Sequence, residues 1–77
     1  MPYVMVKMYP GRTEDQKMRL AEQIALDVVN IAKCPMDAVT VSIDEVAQDD
    51  WEQEVAKPFI LNNEASLYIK TGKSLKK

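Results

Sequence analysis

Residues 3–44 read YVMVKMYPGRTEDQKMRLAEQIALDVVNIAKCPMDAVTVSID. Three patterns follow one another in this stretch, and their order sets the fold. From Tyr3 to Met8 the side chains alternate, with Val4, Val6 and Met8 on one face and Tyr3, Met5 and Lys7 on the other. That is the period of a half-buried strand. Pro10-Gly11 ends the strand with turn chemistry. Thr13, with Gln16 three residues on, has the spacing of a capping box, and Glu14 and Asp15 fall where a helix dipole favours negative charge. Leu20, Ile24, Val28 and Ile31, with Ala21, Ala25 and Ala32, predict an apolar stripe on that helix. Pro35 stops it near Cys34. Val39, Val41 and Ile43 then alternate with Thr40, Ser42 and Asp44, a second strand. Strand, long helix and strand make a βαβ unit, so the strands are expected to be parallel and the crossover right-handed.

Beyond residue 44 the signals weaken. An acidic loop (Asp44, Glu45, Gln48, Asp49, Asp50) leads to Trp51 and Val55, which predict a short helix broken near Pro58. Leu67–Ile69 has the composition of a short strand, and the tail from Lys73 is expected to fray. The fold class is therefore α/β (α+β): one βαβ unit with a C-terminal helical and short-strand extension, a single domain over residues 1–77. One helix covers one face of a two-stranded sheet, and such a sheet is marginal by itself. Self-association is the expected remedy, with Tyr3 and Met5 turned toward another copy. The alternative is a C-terminal segment that folds back in cis.

A chain of 77 residues supports one small core. Hydrophobic residues at 47% and charged ones at 29% argue for a globular chain rather than disorder. Ten basic residues against twelve acidic ones leave a net charge of −2, which argues against nucleic acid as a partner. No apolar run approaches the ~18 residues of a membrane span. Lys7, Arg12, Glu14, Asp15, Lys17 and Arg19 leave no signal-peptide apolar region, so a cytoplasmic location and no membrane partner are expected. A lone cysteine, Cys34, makes no internal disulfide. It lies at a helix end and is taken as packing.

The chain has no histidine, which removes Ser-His-Asp and Cys-His catalysis and histidine-ligated zinc. Gly11 and Gly72 lie too far apart for a phosphate cradle. Thr71-Gly72-Lys73-Ser74 has the ending of a P-loop, but its first glycine position falls on Leu67 and no helix can follow. No cofactor and no metal are expected. The remaining unusual base is Pro2. Removal of Met1 leaves it with a secondary amine. An exposed α-amino group titrates near ~8, so roughly a tenth is free base at neutral pH. A prolyl amine is intrinsically more basic and needs apolar surroundings or a nearby cation to lower it further. Taken alone, Pro2 better suits the plain start of an edge strand.

Residues 2–17, from Pro2 through the alternating strand, the Gly11-Arg12-Thr13 turn and the Glu14-Asp15-Gln16-Lys17 helix start, resemble the 4-oxalocrotonate tautomerase family. Pro35, Val39–Ile43, Glu45 and the aromatic Trp51 extend the likeness over most of residues 2–51. The resemblance implies the same βαβ fold in dimers, trimers or hexamers. It also implies a cofactor-independent tautomerase of small anionic keto–enol substrates, 2-hydroxydienoates or enolpyruvates. Pro2 matches the family's general base, Arg12 a substrate-binding arginine, and Trp51 an aromatic that lines the pocket and keeps it dry. Without the resemblance, Arg12 is a solvated turn residue and Trp51 a core anchor. The family's best-known members carry a second arginine where this chain has Thr40. The length beyond Trp51 resembles a longer branch described as dimeric. Alternatives on the same scaffold are a proline-dependent decarboxylase or dehalogenase, or a non-catalytic oligomeric domain.

Overall fold

The alternation over Tyr3–Met8 produces strand β1, and the same pattern over Thr40–Glu45 produces β2. They pair in parallel, in a register running from Tyr3↔Thr40 to Met8↔Glu45. The ladder is prolonged at one end by the Thr40 N–H, which donates to the Pro2 carbonyl at 3.1 Å. At the other end the Val46 N–H donates to the Met8 carbonyl at 2.9 Å. Helix α1, Glu14–Ala32, makes the crossover. The computed structural model describes residues 1–76 and divides into two compact units, Met1–Val46 and Ala47–Lys77.

In the first unit, α1 starts on the capping box its sequence predicts. The Gln16 N–H donates to Thr13 Oγ1 at 3.1 Å, and the Thr13 N–H donates to Gln16 Oε1 at 2.8 Å. The helix closes at Lys33, whose backbone is left-handed (φ 61°) and whose N–H donates to the Val29 carbonyl at 3.1 Å. Pro35 follows, as the end of the helix requires.

The apolar stripe is only partly covered. α1 packs chiefly on β2. Ala21, Ile24, Ala25 and Val28 are half-buried, whereas Ala32 is exposed, as are Leu20 and Ile31, the last at 79%. The reason is width. Two strands lie about 4.8 Å apart, while a helix with its side chains is about 10 Å across, so α1 overhangs its sheet. The opposite sheet face carries Tyr3, Met5 and Lys7 beside Thr40, Ser42 and Asp44, with Tyr3 58% exposed. Among the described residues neither strand nor α1 holds a buried side chain; Val46, just past β2, is buried.

The second unit begins with a 3₁₀ turn, Gln48–Asp50, and a π-helix, Glu52–Leu61. The break expected at Pro58 does not occur. A proline lacks the N–H and its ring clashes with the carbonyl four residues back in an α-helix. The wider π turn moves that carbonyl aside, and the Asn62 N–H reaches the Lys57 carbonyl, five residues back, at 3.1 Å. Val55 is buried here. After a 3₁₀ turn at Glu64–Ser66, β3 (Ile69–Lys70) pairs antiparallel with β4 (Lys73–Ser74). The strand expected at Leu67 thus starts at Ile69, and the tail expected to fray opens as β4. Thr71 (φ 47°) and Gly72 (φ 81°) form the hairpin turn, which needs positive φ at both positions. That hairpin is what the P-loop-like string builds. The frayed end expected at Lys77 lies outside the described residues.

Candidate active site

Pro2 sits half-buried at the entrance to β1, after a fully exposed Met1. Its carbonyl is pinned to β2 by the Thr40 N–H. Its nitrogen is an amide while Met1 is attached and becomes a secondary amine once Met1 is removed. The ladder that starts at Pro2 therefore holds this residue in place at the end of the sheet. Thr40 contributes its backbone to this anchor, and its side chain is exposed.

Arg12 lies past the other end of β1, exposed, between Gly11 and the helix cap Thr13. Gly11 has φ 128°, a conformation that favours glycine, so the turn shape is set by this residue. The nearest acids in sequence are occupied: Glu14 pairs with Lys17 at 3.4 Å and Asp15 with Arg19 at 3.7 Å. Among the described residues Arg12 has no ion-pair or hydrogen-bond partner. A planar guanidinium left open in this way is suited to a carboxylate. The six residues of β1 separate it from Pro2. At about 3.3 Å per residue that is about 20 Å, too far for one small molecule to touch both in one chain.

Lys17 supports the Arg12 turn. Its Nζ is 3.4 Å from Glu14 and 3.4 Å from Glu45, tying the first turn of α1 to the end of β2. Partial withdrawal from water pulls its ammonium down, but the hydrogen bonds and charges of Glu14 and Glu45 outweigh that and hold it above the ordinary lysine value of 10.5. Lys7 is paired with Asp44 at 3.8 Å on the outward sheet face. On the same face the Tyr3 hydroxyl meets Ser42 Oγ at 3.0 Å. Neither the Lys17 bridge nor the Tyr3–Ser42 pair was legible from the sequence, because each depends on the register between β1 and β2 or on how α1 lies over it.

Trp51 belongs to the second unit, where it closes the 3₁₀ turn and opens the π-helix, half-buried. Cys34 is a free, half-buried thiol after the end of α1. Among the described residues no group of three or more His, Cys, Asp or Glu side chains is placed to hold a metal ion, and no helix is long and apolar enough to cross a membrane.

The family model for the tautomerase enzymes matches residues 2–56. A protein named "Probable tautomerase" from Bacillus cereus is 41% identical over 51 residues, which is 66% of this chain and 84% of that one. A 2-hydroxymuconate tautomerase from Pseudomonas putida is 37% identical over 51 residues, 66% of this chain and 81% of that one. Among solved structures, YwhB, a homologue of 4-oxalocrotonate tautomerase, superposes with a TM-score of 0.61 at 38% identity, covering 62% of this chain and 79% of its own. TomN, a 4-oxalocrotonate tautomerase homologue of the tomaymycin biosynthetic pathway, gives a TM-score of 0.63 over 95% of this chain and 86% of its own. At 19% identity it bears on the fold alone.

Proposed function

This chain belongs to the tautomerase family of isomerases, and we propose that it interconverts the keto and enol forms of small anionic substrates without a cofactor, with Pro2 as general base after Met1 is removed. The observation that carries this reading is the pinned Pro2 at the start of β1, in a chain with no histidine to take the role. In ketonisation, the Pro2 amine takes the enol O–H proton as the carbonyl forms, and the prolinium returns a proton to carbon. Negative charge passes through the enolate. An arginine on the adjacent carboxylate binds the substrate and opposes that charge.

Arg12 is the residue proposed for that contact. Because β1 holds it about 20 Å from Pro2 of its own chain, Arg12 of a second copy must complete the site. The overhanging α1, the sheet with no buried side chain and, among the described residues, the unpaired outer edges of β1 and β2 favour such a homo-oligomer. Trp51 is proposed as an apolar wall. The test uses Met1-processed protein and phenylenolpyruvate. Ketonisation should be fast, and Pro2→Ala should reduce kcat sharply, with a residue of activity from the primary amine alanine leaves in place. Equal rates for the two proteins would remove Pro2 from the mechanism.

A further inference from the structure

We propose that the hydroxyl pair Tyr3–Ser42 is the far-end contact of this site, donating a neutral hydrogen bond to an oxygen that the substrate carries away from its carboxylate. The proposal rests on Pro2 being the base and adds the chemical class of the other end.

The pair lies on the outward sheet face, with Tyr3 Oη 3.0 Å from Ser42 Oγ. Ser42 is two residues along β2 from Thr40, whose N–H holds the Pro2 carbonyl at 3.1 Å. Two residues of strand span about 6.6 Å, a length a small aryl acid covers. Two hydroxyls carry two protons between them, and their mutual bond uses one, so the pair keeps one donor for a third oxygen. In the single chain Tyr3 is 58% exposed, and a hydrogen bond that water can replace contributes little to that chain's stability.

Charge on this face settles which oxygen fits. Next to Pro2 the face offers Tyr3, Met5, Thr40 and Ser42, all neutral. Farther along the face Lys7 and Asp44 pair at 3.8 Å, so their charges cancel. A second carboxylate therefore meets neutral donors and no net positive charge to offset its lost hydration, whereas a hydroxyl or carbonyl gives up less hydration to the same donor. The preferred class is an enol acid with one carboxylate and a neutral oxygen at the far end.

The experiment compares kcat/KM for phenylenolpyruvate and its para-hydroxy derivative, which differ by that oxygen alone. Wild-type protein should favour the hydroxylated substrate by roughly threefold to tenfold, the range of one neutral hydrogen bond. Tyr3→Phe should bring the ratio near one, and so should Ser42→Ala, which leaves the phenol without its orienting partner. A neutral contact is unscreened, so the wild-type ratio should hold as ionic strength rises. The ratio is read within each protein, so a change in folding that lowers both rates does not mimic the effect. A wild-type ratio near one overturns the proposal, as does a ratio that survives in both variants. Pro2→Ala separates the two levels: it should lower both rates and leave the ratio intact. If it leaves the rates unchanged, the base assignment fails on its own.

Discussion

At the scale of single residues, position 40 has a split role. Its backbone N–H pins Pro2, and its exposed side chain offers a neutral hydroxyl. A substrate with carboxylates at both ends benefits from two separated cations, and in the proposed site Arg12 serves one end while position 40 is a neutral threonine. Wild-type protein should therefore prefer an arylenolpyruvate to the dicarboxylate 2-hydroxymuconate. Thr40→Arg keeps the N–H and adds a cation, so it should improve the dicarboxylate selectively, by about 1–2 kcal/mol in kcat/KM. Steady-state kinetics on both substrates checks this, and a wide wild-type preference for the dicarboxylate would mean that another cation serves the second end. Pro2, Arg12 and Trp51 were all candidates from the sequence. Tyr3 and Ser42 were visible there only as members of two alternating strands, because nothing in either strand says which residue of the other stands opposite.

At the scale of elements, the link between α1 and β2 is electrostatic as well as apolar. Lys17 bridges Glu14 and Glu45, and its ammonium is held above the ordinary value of 10.5. A basic group whose value is raised on folding stabilises the fold fully below its unfolded value and loses that contribution as pH rises through the folded one. The midpoint of denaturant unfolding should thus keep this contribution up to the ordinary lysine value of 10.5 and lose it above. Lys17→Met should start lower and show a shallower alkaline fall. The same alkaline fall in both proteins would reduce the bridge to a surface contact. The element boundaries follow local chemistry closely where that chemistry is strong: Thr13 with Gln16 starts α1, and Lys33 followed by Pro35 ends it. Pro58 misled because its rule applies to the α-helix, and the chain keeps its turn there by widening it.

At the scale of the whole molecule, Pro2 and Arg12 lie at opposite ends of one strand, and α1 leaves Ile31 79% exposed. Both facts support the proposal of a site assembled from copies. Sedimentation at micromolar concentration should show a dimer or larger species. A sharper test mixes two crippled proteins. If each site takes Pro2 from one chain and Arg12 from another, Pro2→Ala and Arg12→Ala chains, unfolded and refolded together, should form intact sites at random. About a quarter of wild-type activity should return, since each site draws both residues independently. A mixture no more active than its parts measured separately would place both residues in one chain's site. The order strand, helix, strand was fixed by the sequence alone, because side-chain periodicity and the caps are local and need no partner to be read. The absence of histidine was legible there too, and it made Pro2 a candidate; its proposed role as base came from the resemblance of residues 2–17 to the tautomerase family. Only the tertiary structure decided the pairing register, and with it the Tyr3–Ser42 contact and the Lys17 bridge. Those depend on which residues meet across space, and side-chain alternation is unchanged when one strand slides past the other by two residues.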